Sequence, residues 1–206
     1  MSSKLFWGMR HLNDNLLCAV KCELTGNDPD THGLIQVVVL PLNHMLEIHP
    51  EIPLFDMKLR PDDIAEIDYS VCRLSRSEVA NAKLKAFTKD KVADLLEDWF
   101  DGLKLPNGKK IIPLVHGWPR ERQILVNWLG YTTFSKIFSE DYRDTLIAAH
   151  YINDRRCVRE EPAFFNKQML SWIAKKLNVV MTERNGAALS DCLALGQVYK
   201  RQLQNL

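Results

Sequence analysis

Apolar positions in the first third of the chain come in short runs; later they recur at helical spacing. Residues 16–26, LLCAVKCELTG, open as a near-continuous apolar run and close on a turn glycine, which predicts a strand covered on both faces. The turn cluster TGNDPDTHG (25–33) separates it from a second apolar strand, from Leu34 to about Leu42, stopped by Pro41 and Asn43. PLFDMKLRP (53–61) alternates and predicts a third strand, and 61–84 is polar and irregular with one or two short helices. Behind Thr88, a helix-capping residue type, Val92, Leu95, Leu96, Trp99, Phe100 and Leu103 mark an amphipathic helix that Gly102 and LPNGKK stop. KIIPLVHG (110–117) reads as a short apolar strand. Pro119 then opens a helix through Ile124, Leu125, Trp128 and Leu129 that ends at Gly130. Another helix is expected over 139–154, with Ile147 and Ala148 facing its core beside Leu146 or Tyr151, followed by an exposed charged loop over 154–166. Asn166 is placed as the cap of a helix presenting Met169, Leu170, Ile173 and Leu177, and a final helix is expected from about Gly186 to Gln204.

This order predicts an α/β fold with an antiparallel start and a crossover helix that brings in a parallel strand. A length of 206 residues suits one domain, 1–206, with its core at about 16–203. Composition adds little: 46% hydrophobic and 26% charged residues describe an ordinary soluble globular protein. Charge is more informative. Lys plus Arg number 27 against 26 acids, which excludes a global basic field for nucleic acid and leaves only local patches open. Five scattered cysteines without a CxxC pair argue against a zinc site and for reduced thiols, Cys18 and Cys22 sharing one face of the first strand. The first residues lack the apolar stretch of a signal peptide, and no run reaches about 18 apolar residues, so no membrane span and a cytoplasmic location are expected.

One residue breaks the first apolar run. Lys21 stands two residues before Glu23, and strand alternation puts both on the same face. A buried ammonium is costly unless paired, so Lys21 either snorkels from the strand end or has an acidic partner. Asp191 poses the mirror problem, an acid facing inward between Ala188 and Leu195.

Three segments together resemble the DnaQ-like (DEDD) 3′–5′ exonuclease family. AVKCELTGNDPDTHGLIQVVVLPLN is similar to that family's D-x-E-T-T-G-x-(D)-P strand and turn with the strand that follows. IIPLVHGWPRERQIL is similar to its H-N-x-x-F-D segment, and GAALSDCLALGQVYKRQL to its H-x(4)-D helix. YRDTLIAAHYIND looks like the helix before it, with Asp144 supporting the site from behind. The resemblance implies a ribonuclease-H-like mixed sheet, antiparallel in its first three strands with parallel strands added, flanked by helices. It also implies two-metal hydrolysis: carboxylates hold two divalent ions about 4 Å apart and a histidine takes the proton from water. Oxygen ligands of that kind suit magnesium or manganese if the site is active, and no cofactor is needed if it is not. The partner implied is the 3′ end of single-stranded DNA or RNA; a protein partner or a homodimer stays open, and a membrane does not.

The departures from the family pattern are specific. Glu23 and Asp191 match its second and last acids, and Glu121 takes the third position as a longer carboxylate. Lys21 replaces the first acid, and Gly186 stands where the histidine belongs. Lys21 would lie between Glu23 and Asp191, and Glu121 if it reaches, supplying positive charge that metals otherwise bring. A like charge at about 4 Å costs a cation about 4 kcal/mol per unit charge even at an effective dielectric of ~20. Glu121 reads either as a ligand or as part of a solvated helical face. Thr25, His116, Trp118, Arg120 and Arg122 are candidates for nucleic-acid contact. Of these, His116 alternatively just ends its strand, and Trp118 alternatively belongs to core or rim. Arg155, Arg156, Arg159, Lys109 and Lys110 either extend a phosphate path or form solvated faces. Three functions follow: a degenerate exonuclease-fold protein that binds nucleic acid, an altered but active metal-dependent exonuclease, and a non-catalytic protein-interaction module.

Overall fold

The computed structural model describes residues 12–62, 66–70, 72–181 and 187–204. Strand β1 (Leu16–Leu24) pairs antiparallel with β2 (Leu34–Pro41), setting Lys21 opposite Val38 and Glu23 opposite Gln36. Strand β3 (Phe55–Lys58) extends the sheet antiparallel to β2 and is shorter than the 53–61 run. Helices α1 (Arg76–Lys85) and α2 (Lys89–Gly102) carry the chain across to β4 (Ile111–Val115), which pairs parallel to β1. Helix α3 (Trp118–Ile137) leads to β5 (Arg143–Asp144), parallel to β4. Helices α4 (Thr145–Val158), α5 (Leu170–Lys176) and α6 (Ala187–Gln204) follow. The five-stranded order is β3-β2-β1-β4-β5, a mixed sheet flanked by helices, as expected.

Strand β1 is central, so both of its faces are covered. Leu16, Cys18, Val20 and Cys22 join a core with Val92, Leu96 and Phe100 of α2 and Ile124, Leu125, Phe134 and Ile137 of α3. Leu17 and Ala19 face the opposite core, built with Ala149 and Ile152 of α4, Ile173 of α5, and Ala188, Cys192 and Leu195 of α6. Each large apolar side chain buried in this way contributes about 1.5–3 kcal/mol. Within β1 only Lys21 is less than fully buried. A smaller cluster of Ile35, Cys72, Leu74, Val79 and Ala82 fastens α1 and the segment before it to β2.

Several expectations are corrected by packing. The α3 helix does not end at Gly130; that residue (φ 71, ψ 156) breaks the regular helix, which resumes because Phe134 and Ile137 are fully buried beyond it. Residues 139–144 are not helical: Arg143 and Asp144 pair with β4, and the Asp144 carboxylate caps α4 by accepting from the Leu146 amide at 2.8 Å. The buried face of α4 is Thr145, Ala149 and Ile152, whereas Ile147 and Tyr151 are 51% and 58% exposed. Helix α4 also runs to Val158, taking up the start of the expected loop. Helix α5 has Met169 at its N-cap with no side-chain cap, so Asn166 does not serve that role. Thr88 does cap α2, accepting from the Lys91 amide at 3.4 Å. Gly186, the expected start of α6, lies outside the described residues. Among the described residues no helix is long and apolar enough to cross a membrane.

Candidate functional site

The end of β1 opens into a cleft of about 300 Å³, with Lys21, Glu23, Arg73, Arg120, Leu170 and Asp191 on its walls. The cleft exists because its neighbours diverge. The β1–β4 register stops at Ala19 opposite Leu114, and β4 ends at Val115, whereas β1 continues to Leu24. Beyond that point the edge of β1 toward β4 has no strand partner, so its amides need another acceptor.

Glu121, in the first turn of α3, supplies it. Its Oε2 accepts from the Cys22 amide at 3.0 Å, and its Oε1 pairs with the Lys21 ammonium. The carboxylate is 1% exposed, so it is not part of a solvated helical face. Burial works against the charge on Lys21, but attraction to Glu121, aided by Glu23 and Asp191, outweighs it and raises the ammonium above its usual pKa. Lys21 is therefore a largely buried, charged cation held by a carboxylate rather than a snorkelling one.

Glu23 and Asp191 are served by a residue that the sequence pattern did not single out. Arg73 reaches in from the segment before α1 and forks between them. Its Nε and Nη2 donate to the two Glu23 oxygens at 3.3 and 3.2 Å, and its Nη1 and Nη2 donate to the two Asp191 oxygens at 3.1 and 2.9 Å. Such two-pronged guanidinium–carboxylate contacts are among the stronger and more directional polar contacts in proteins. Burial disfavours the Arg73 charge, yet the hydrogen bonds and field of Asp191 and Glu23 hold it protonated more firmly than usual. The expectation that Lys21 lies between Glu23 and Asp191, with Glu121 if it reaches, is thus corrected: Lys21 pairs with Glu121, and Arg73 with Glu23 and Asp191. No local pattern in the sequence singles out Arg73; its side chain is aimed at the cleft by the burial of Cys72 and Leu74 on either side of it in the small cluster.

The other sequence candidates divide. Arg120 lines the cleft, with its Nη2 3.4 Å from the Asn27 carbonyl. Thr25 is fully buried and engaged internally, donating to the Glu66 carbonyl and accepting from the Gly33 amide. It holds the turn after β1 instead of offering its hydroxyl to a ligand. Trp118 is 4% exposed and stacked on Tyr142 at 5.4 Å, so it presents no free face to a base. Arg122 is paired with the Glu140 carboxylate at 3.0 Å, away from the cleft. His116 is held by Thr145 Oγ1 at 2.8 Å and the Gln168 carbonyl at 2.6 Å, tying the end of β4 to α4 and to the approach to α5. A carbonyl only accepts, so Nε2 carries a proton; burial lowers the imidazole's pKa. Asp144 accepts from the Gly117 and Trp118 amides at 3.0 and 2.8 Å, capping the start of α3 and thereby placing Glu121. Of the more distant basic residues, Arg156 is paired with Glu161, and Lys109 and Lys110 lie at a separate hollow beside Lys136.

No protein-family model and no curated protein sequence matches this chain. Solved structures do. The nuclease domain of 3′hExo, a DEDDh family member, bound to rAMP, superposes with a TM-score of 0.61 at 21% identity, over 92% of each chain. A 3′-exonuclease described in 3′-end-specific recognition of the histone mRNA stem-loop gives 0.64 at 20% identity, over 92% of this chain and 64% of that one. The zinc-bound Escherichia coli ExoI–ssDNA complex gives 0.64 at 15% identity, over 90% of this chain and 40% of that one. The fold is ribonuclease-H-like, a mixed five-stranded sheet flanked by helices. The chain spans under two thirds of the histone-mRNA exonuclease and under half of ExoI.

The resemblance read from the sequence implies divalent metals, and the donor set here does not fit them. A two-metal centre needs carboxylates free to turn their oxygens toward the ions. Both oxygens of Glu23 and both of Asp191 are turned to Arg73, and those of Glu121 to Lys21 and the Cys22 amide. Among the described residues no group of three or more His, Cys, Asp or Glu side chains is arranged to hold a metal ion.

Proposed function

We propose that this chain binds single-stranded nucleic acid on an exonuclease fold and has lost two-metal phosphodiester hydrolysis. The observation that carries this reading is the Arg73 fork across Glu23 and Asp191, with Lys21 answering Glu121 alongside. Two fixed cations against three carboxylates leave the cluster a single net negative charge, where three would stand without them, so much less attraction is left for a divalent ion. A metal entering it would have to expel Arg73 and would meet Lys21 at close range, a repulsion of about 4 kcal/mol per unit charge at ~4 Å and an effective dielectric of ~20. What remains is an open cleft beside Arg120 and the exposed edge of Arg73, which suits a phosphodiester or a nucleotide end. The likeness to exonuclease structures determined with rAMP and with ssDNA supports a strand end as the ligand.

The test measures both halves. With labelled single-stranded DNA or RNA in magnesium or manganese, the chain binds, and binding weakens as salt rises, without shortening the strand. Robust metal-dependent digestion that disappears in Glu23→Ala would overturn the loss of hydrolysis and favour the altered exonuclease. Absence of any salt-dependent strand binding would instead point to a protein-interaction module.

A further inference from the structure

Helix α5 has two sides. Leu170 and Ser171 line the cleft just described, whereas Trp172, Lys175 and Lys176 line a second hollow of about 390 Å³ with Asn166, Lys167 and Asn178. Ser171 and Lys175 are about 6 Å apart along the helix axis, so the two hollows adjoin. No acid lines the second one. Its three lysines rest instead on aromatic faces. Lys167 Nζ lies 3.9 Å and Lys175 Nζ 5.5 Å from the centre of the Trp172 ring, and Lys176 Nζ lies 5.0 Å from that of Phe164.

By contrast, four other surface cations, Lys89, Arg122, Lys136 and Lys200, are each matched by carboxylates. In a chain of net charge +1, three neighbouring lysines with no carboxylate partner among the described residues form a local field that the whole-molecule balance hides. A cation over an exposed aromatic ring gains only about 0.5–1 kcal/mol. The rings thus hold the ammoniums in place without neutralising them, and an anion can take them up without breaking an ion pair. Trp172, 40% exposed, acts as the template.

We infer that this α5 platform binds the phosphodiester backbone of single-stranded nucleic acid a short distance from the cleft. This rests on the proposed nucleic-acid reading and adds the path that the strand takes. Continuity with the cleft favours a strand over an acidic protein segment: the ligand that places an end beside Arg73 and Arg120 passes Trp172 as it leaves.

The experiment is fluorescence anisotropy of a labelled single-stranded oligonucleotide against salt concentration. It compares the full chain with the combined Lys167→Gln, Lys175→Gln, Lys176→Gln variant, with Trp172→Ala and Trp172→Phe, and with Arg120→Ala in the cleft. The salt slope for single strands is about −0.7 per phosphate contact, so losing three contacts makes log K against log salt shallower by about 2. Trp172→Ala weakens binding and Trp172→Phe restores most of it, because a ring is what the lysines need. If the parent chain binds and the triple variant keeps its affinity and slope, the platform is overturned while the proposed function stands. If the parent does not bind strands at all, both fall. If polyglutamate of matched charge competes as well as the oligonucleotide, the occupant is an acidic protein segment and the inference is overturned.

Discussion

Three buried acids and two cations meet at the end of β1, and their connections determine what the cluster tolerates. Glu121 satisfies an amide and a buried ammonium at once. Glu121→Gln keeps an acceptor for Cys22 but leaves Lys21 charged without its partner. Breaking a buried pair from one side costs about 3–5 kcal/mol, whereas replacing the charge on both sides is often close to neutral. Denaturant unfolding should therefore show Glu121→Gln destabilised by about 3 kcal/mol and the double variant with Lys21→Met recovering most of that loss. Equal, additive losses would mean that the two residues are not coupled. At this scale the sequence was half legible. Lys21 and Glu23 announced themselves by interrupting an apolar strand, and Asp191 by its inward position. One lysine for three acids left a cation owing, but nothing local marked Arg73 among the 27 Lys and Arg residues. Its side chain is aimed by the burial of Cys72 and Leu74, which is tertiary information.

Elements were legible where one physical signal dominates. The apolar runs of β1 and β2 need cover on both faces and received it, and the helical spacing behind Thr88 became α2. The phase of α4 was not legible, because Leu146, Ile147, Ala148 and Ala149 are all apolar and only packing selects the inner ones. Two-residue β5 is too short to leave a period. Gly130 was read as a stop, but the helix turns there and continues, since ending it would leave Phe134 and Ile137 without cover. Gly130 has φ 71 and ψ 156, a region essentially reserved for glycine, and open space where a Cβ would stand. The cost of Gly130→Ala is thus backbone strain alone, about 1–3 kcal/mol. For a chain of this length each kcal/mol lowers Tm by about 2–4 °C, so calorimetry should find a fall of several degrees, and an unchanged Tm would contradict the kink.

Across the whole molecule the order of segments was a stronger guide than any single motif: the strand hairpin, the crossover to β4, and the acid on the last helix all converge on one cleft. Near-zero net charge concealed the rest. Of the basic residues singled out in sequence, Arg122 and Arg156 are paired with carboxylates and Lys109 and Lys110 lie at another hollow, while three lysines resting on aromatic rings sit on and beside α5, a short helix that reads as ordinary. The central claim is that protein-borne cations take the place of metals throughout this cleft. The most direct measurement is anomalous scattering from manganese-soaked crystals of the parent chain and of the Lys21→Asp, Arg73→Ala variant. The account predicts no manganese among Glu23, Glu121 and Asp191 in the parent, with Lys21 and Arg73 in place, and a bound ion once both cations are removed. Two manganese ions bridged by those acids in the parent, with both cationic side chains swung out to solvent, would contradict it.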